Sequence, residues 1–323
     1  MAEWLLEEGI GEHRAIRLVG DEIAEARVSW PGELAAGLVA NATLASRAAG
    51  ATRGTARFSS GEEALVDRLP SSASEGAKLR LEVTRPAMAE HGRRKLARAR
   101  PSEAAIRHPG LAKRLESEGH TVSLVHRFPA CDWDELVAEA FAGEAVFTRG
   151  SLHFSPTPAM LLVDVDGTLD PRNLALASVV PLAAALRRFD VGGSIGVDFP
   201  TLAAKADRKA VDEALEAALA GWPHERTAMN GFGFVQLVAR LSRPSLLQRA
   251  AFQRAEMAAR WLLRRAEGLE GAGAIWLSGH PALGATLDEA ALAELARRTG
   301  HEVRWEANPA LAIEACSTQL VPR

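Results

Sequence analysis

Asp164 and Asp166 stand two residues apart in LLVDVDGTLD, residues 161–170, at the end of the apolar run Met160–Val163. Side chains two apart in a strand share a face, so both carboxylates point to one place. Gly167 lets the chain turn sharply after them. A second strand-like run, SIGVDF at 194–199, also ends in an acid, Asp198. Ligands of open α/β sheets gather outside the carboxyl ends of the strands, so neighbouring strands would bring Asp164 and Asp198 together. Carboxylates sharing a small volume repel unless a cation sits between them. Mg²⁺, or Mn²⁺ in its place, suits such a group, because it takes hard oxygen ligands, keeps several waters and accepts phosphate oxygens. It can also activate a water and neutralise charge developing on a phosphate. The plainer alternative is that these acids cap helices or pair with arginines.

A second chemical signal is basic. Between Arg85 and Arg114 lie Arg85, Arg93, Arg94, Lys95, Arg98, Arg100, Arg107, Lys113 and Arg114, against Glu90 and Glu103. Local clusters of this kind bind phosphate backbones, although a basic run is also compatible with a solvated helix face or loop. In TRGTARF, Arg53 and Arg57 could hold phosphate and Phe58 could stack a base or pack a core. His126 and His153 have no metal or nucleophile beside them in the sequence and read as polar surface residues.

The elements needed to position these groups fit a mixed α+β and α/β multidomain chain. Its 323 residues are 47% apolar and 24% charged, which suffices for two or three domains with buried cores. Net charge is −3, so an affinity for nucleic acid would have to be local. Cys131 and Cys316 are too far apart for a metal clip and point to a reducing, cytoplasmic setting. The acidic start lacks the features of a signal peptide, and the run Leu174–Leu186, broken by Pro181, is too short to cross a bilayer. A soluble protein is expected.

The spacing predicts a β segment over 1–32, from WLLEE, AIRLV and ARVSW, and a small barrel over 33–100, from LVANATLA, GTARF, EALV and KLRLEV. A connecting region follows at 101–146. In and around it MAEHGRRKLARA, GLAKRLESEG and DELVAEAF read as helices, the last capped by Asp132, and TVSLVHRF as a strand. Over 147–250 the pattern is β-α-β-α, with helices at Asn173–Arg188 and Lys205–Leu219, which predicts parallel strands. A long helix is expected from Pro244, and 251–323 reads as a small α/β subdomain.

Two families fit the acidic motif. Alone, DVDGTLD resembles the first motif of haloacid-dehalogenase-type phosphatases, with Asp164 as nucleophile and Asp166 as acid/base. The later motifs of that family do not follow: Ser194 opens its strand, Lys205 comes after Asp198, and no Asp-Asp pair appears downstream.

More of the chain resembles the ribonuclease E/G family. Thr157–Met160 followed by LLVDVDG stands where that family has T-E-A-L and I-D-V-N-S-G; Asn173-Leu174, ALRRFDVGG and SIGVDF continue the pattern. GFGFVQLVARLSRPSL stands for G-L-x-E-M-T-R-x-R and P-S-L, and EGAKLRLEVTRPAMAEHGRRKLARAR is similar to the end of the family's oligonucleotide-binding barrel.

The resemblance implies a ribonuclease-H-like or deoxyribonuclease-I-like catalytic domain behind an RNA-binding barrel. The activity implied is Mg²⁺-dependent endonucleolytic cleavage of single-stranded RNA, leaving 5′-phosphate and 3′-hydroxyl ends. Asp164 and Asp198 match the family's metal-binding aspartates. Asp166 replaces a supporting Asn and becomes a candidate third ligand, and Arg240 or Arg243 would face the scissile phosphate. The RNA-binding set comprises Arg53, Arg57, Phe58, Arg85, Arg93, Arg94, Lys95 and Arg98. The chain departs from the family in lacking the Cys-P-x-C zinc link, so no zinc-linked dimer is expected, in having no 5′-sensing R-T pair between Pro101 and Val146, and in reading QLVAR for E-M-T-R. Those departures leave open a non-catalytic RNA-binding relative.

Overall fold

The structure, a computed structural model, describes residues 3–129 and 131–322. The chain opens on a meander, β1 (Glu3–Gly9), β2 (Glu12–Val19) and β3 (Glu22–Ser29). Then come β4 (Val39–Arg47), β5 (Gly54–Phe58), β6 (Glu63–Val66), β7 (Lys78–Arg85), the hairpin β8 (Met88–Glu90) and β9 (Arg93–Lys95), and β10 (Ala97–Pro101). Strands β10-β6-β5-β4-β7 close into a barrel. Every second residue points inward, and Leu44, Ala56, Phe58, Val66, Leu81 and Val83 fill the interior. Gly54 permits the tight β4–β5 approach: a Cβ there would lie 2.5 Å from the Ser46 carbonyl oxygen.

The segment MAEHGRRKLARA, expected to be helical, is the β8–β9 hairpin leading into β10. Gly92, at φ 69°, turns the hairpin. Beyond it Ala97 and Ala99 are buried while Arg98 and Arg100 are exposed, a period of two rather than 3.6.

After the barrel come α1 (Leu111–Ser117), β11 (Thr121–Val125), α2 (Trp133–Ala142), β12 (Glu144–Phe147) and β13 (Gly150–Pro156). Strand β11 pairs parallel with β1, from Glu3–Thr121 to Glu7–Val125. Next are β14 (Leu161–Gly167), α3 (Pro171–Arg188), β15 (Gly193–Asp198), α4 (Lys205–Ala218), β16 (His224–Arg226) and β17 (Phe234–Ala239). They build a six-stranded sheet ordered β12-β13-β14-β15-β17-β16. The expected parallel layer is confined to β14 and β15, joined by α3; β13, β16 and β17 all run antiparallel to their neighbours. The reason is local: β16 and β17 form a hairpin, which reverses the chain without a crossover helix.

The helix expected from Pro244 is two: α5 (Leu246–Phe252) and α6 (Arg254–Glu267), broken at Gln253. Ser245, not the proline, caps α5, in a reciprocal box with Gln248. Asp132 stands before α2 without a side-chain cap bond. The chain ends in β18 (Ala274–Gly279), α7 (Glu289–Thr299), β19 (Val303–Ala307) and β20 (Ser317–Val321).

One core joins Ile16, Ile23 and Trp30 of the N-terminal segment to Leu136, Val163, Val197, Leu262, Ile275 and Cys316. A buried ionic cluster pins the same units together. Arg14 pairs with Glu7 and Glu12, Arg264 of α6 pairs with Glu7, and the Trp30 indole donates to Glu12. The barrel has its own core. No helix among the described residues is long and apolar enough to cross a membrane.

Candidate functional site

Strand β14 alternates cleanly: Val163 and Val165 are buried, Asp164 and Asp166 exposed. In β15, Ile195 and Val197 are buried and Asp198 is exposed. The register pairs Asp164 directly with Asp198. Adjacent strands lie about 4.8 Å apart, so the two carboxylates are side by side on the open face. Gly167 allows this end of β14 to pack closely, since a Cβ would lie 2.5 Å from the Arg149 carbonyl oxygen and 2.6 Å from Leu174.

None of the three aspartates has a lysine or arginine partner among the described residues. Asp166 accepts the Gly167 amide at 2.8 Å. The site is therefore a concentration of uncompensated negative charge, the condition under which a cation is drawn in. No group of three or more His, Cys, Asp or Glu among the described residues is arranged to hold a metal ion. A pair of neighbouring carboxylates still fits Mg²⁺, which completes its shell with water and substrate oxygens.

The antiparallel β13 brings in a residue expected only as a polar surface side chain. His153 is the register partner of Asp164, and Ser151 that of Asp166. The Ser151 hydroxyl lies 2.9 Å from His153 Nε2, with Glu144 3.9 Å from the same nitrogen. Read as an isolated surface histidine, His153 belongs to the site, and only the β13–β14 pairing reveals it. On the far side, Phe234 is the register partner of Asp198 and Gln236 that of Gly196. Gln236 Nε2 donates to the Ser194 hydroxyl at 3.3 Å. Phe234 and Met160 crowd the space over Gly196, where a Cβ would lie 2.5 Å from the phenyl ring.

Arg240 is not brought to the aspartates. Asp198 lies opposite Phe234, and Arg240 follows the far end of β17, roughly 20 Å along the strand. Arg243 is occupied structurally: its Nε and Nη2 both reach Asp190, with Glu118 at 3.9 Å. Burial works against the Arg243 charge, but the Asp190 carboxylate raises the guanidinium above its ordinary value.

The basic candidates lie on the barrel and its hairpin. Arg53 pairs with Asp67, Arg57 with Glu63, Arg93 and Lys95 with Glu90, and Arg94 with Glu62. Exposed pairs of this kind contribute only about 0–1 kcal/mol, so a phosphate can displace the carboxylate. Arg85 donates to the Leu96 carbonyl, and burial pushes its guanidinium below the ordinary value. Arg98 is exposed and, with Lys78 and Arg80, has no carboxylate partner among the described residues. Phe58 is corrected: only 5% exposed, it packs the barrel core and offers no face to a base. A small cavity of about 70 Å³ joins Glu90 and Lys95 of the hairpin to Met160 and Ser194 at the edge of the open face.

No protein-family model matches the chain, and no curated protein matches it. The site stands on its geometry. A larger cavity of about 290 Å³, lined by Trp30, Phe58, His108 and Arg114, lies between the N-terminal segment and the barrel and includes none of the aspartates.

Proposed function

We propose that this chain is a Mg²⁺-dependent endoribonuclease resembling the ribonuclease E/G family, acting on single-stranded RNA. The observation behind it is the in-register pair Asp164–Asp198, exposed on a sheet face with no cationic side chain among the described residues to neutralise it. Asp164 and Asp198 are the residues that would hold the ion, with Asp166 near enough along β14 to orient its waters. When bound, Mg²⁺ supplies an activated water and charge neutralisation on the scissile phosphate. His153, tied to Ser151, offers an imidazole beside Asp164 that can hold a proton at the same face. The five-stranded barrel is read as an oligonucleotide-binding-type module whose outer Lys78, Arg80 and Arg98 bind backbone phosphates. The β8–β9 hairpin, next to the start of β14, would hand the strand to the aspartates.

A phosphatase of the haloacid-dehalogenase type is disfavoured, because Asp164 sits within a sheet face flanked by antiparallel β13 rather than at the lip of a parallel sheet. A second reading, an RNA-binding relative without catalysis, draws on the distance of Arg240 from the aspartates. An end-labelled single-stranded RNA, incubated with Mg²⁺ or EDTA, separates the two. Internal cuts that need Mg²⁺ and vanish in Asp164→Asn and Asp198→Asn, with RNA affinity retained, are expected. Tight binding with no cutting by folded wild type would replace the nuclease with the binding relative.

A further inference from the structure

We infer that Phe232 is the residue on which the substrate's base, next to the scissile phosphate, stacks; this rests on the nuclease reading above. Phe232 is 81% exposed, the highest exposure among the large apolar side chains described. Single exposed apolar side chains are ordinary on a surface; what marks this one is the backbone that presents it.

The loop around it is built, not slack. The Asn230 side-chain oxygen accepts the amides of both Phe232 and Phe234, at 2.9 and 3.1 Å. The Phe232 carbonyl accepts the Thr201 hydroxyl, and the Gly233 carbonyl accepts the Phe199 amide. Gly233, at φ 92°, admits no side chain, since a Cβ would lie 2.3 Å from the Phe199 carbonyl oxygen. The backbone that presents the ring is thus fixed to the segment following Asp198.

Position selects the occupant. Asp198 and Phe234 are register partners, and the turn that carries Phe232 is bonded to Phe199 and Thr201, one and three residues after Asp198. A phosphate held at the carboxylates would have its own base beside this turn. A π face recognises any base, so the contact gives affinity and placement with little sequence preference, and the larger purines gain most. Phe58, buried in the barrel, cannot take this role.

The test uses the full chain and a short fluorescein-labelled single-stranded RNA, with binding read by anisotropy and cutting on gels. Phe232→Ala is expected to weaken binding and raise KM about ten-fold, equivalent to about 1.4 kcal/mol, with the melting temperature unchanged. Phe232→Trp should restore affinity. The Phe232→Ala loss should vanish when one defined nucleotide of the RNA is abasic, and persist when the abasic site is elsewhere. Wild-type affinity in Phe232→Ala, or a loss indifferent to every abasic placement, overturns the stacking role while leaving the nuclease standing. A wild type that neither binds nor cuts RNA overturns both, so the two failures are distinct.

Discussion

Asp190 adopts a left-handed backbone, φ 55°, at the turn between α3 and β15, and its carboxylate meets Arg243 beyond β17. Asp and Asn tolerate this region better than other side-chain residues. The pair closes the sheet end opposite the aspartate site. Removing the acid leaves a largely buried guanidinium whose remaining ion-pair partner among the described residues is the more distant Glu118. Asp190→Ala should therefore cost about 3 kcal/mol in urea unfolding, with RNA cleavage per folded molecule unaffected. At this scale the sequence was informative where chemistry is local. Asp164, Asp166 and Asp198 stood out because acids break apolar runs. His153 and Arg240 did not resolve, since their neighbours depend on the direction of β13 and β17, which no local pattern encodes.

Helix α7 shows how an element can be secured by charges at its end. Glu294 accepts from Arg297 and Arg298 in the next turn. Those bonds, Arg297 first, hold the Glu294 carboxyl down at about 2, against an ordinary 4.5. A depressed acid contributes above its unfolded value and loses that contribution as pH falls through the folded one. The Glu294 carboxyl carbon should titrate near 2 by NMR, and Arg297→Ala should move the midpoint up toward 4.5. The barrel depends on a missing side chain. Gly54→Val would drive atoms into the Ser46 carbonyl and Leu69, 2.5 and 2.9 Å from a Cβ. A loss of about 2–3 kcal/mol and weaker RNA binding are expected, read by calorimetry and anisotropy. Strand alternation made most elements legible, but the stretch from Met88 to Ala99 misled, because alanine and arginine are good helix formers and only the hairpin turn overrides them.

For the whole molecule, residues of the segments 1–32 and 251–323 share one core with the six-stranded sheet. Sequence shows which residues are apolar but not which apolar faces meet. The barrel, by contrast, is an insertion whose ends meet where Val39 bridges Arg107. Excising residues 40–106 and joining the ends with a short glycine linker should give a protein that still unfolds cooperatively by circular dichroism. Its RNA affinity should fall at least about ten-fold, because the cations proposed to hold phosphates leave with the barrel. An unfolded product would mean that the barrel supports the core.

The pairing of β1 with β11, and the core that runs from Ile10 to Cys316, set an order of assembly during synthesis. The barrel can close once residue 101 has left the ribosome, since its strands are near one another along the chain. The first three strands wait for β11 and for core partners spread from Leu136 to Cys316, the last of them emerging roughly 15–60 s later at ordinary rates of translation. For that interval an incompletely covered meander stands beside a finished barrel. Slower ribosomes or scarce chaperones should hence lower the yield of active protein more than its thermodynamic stability would suggest.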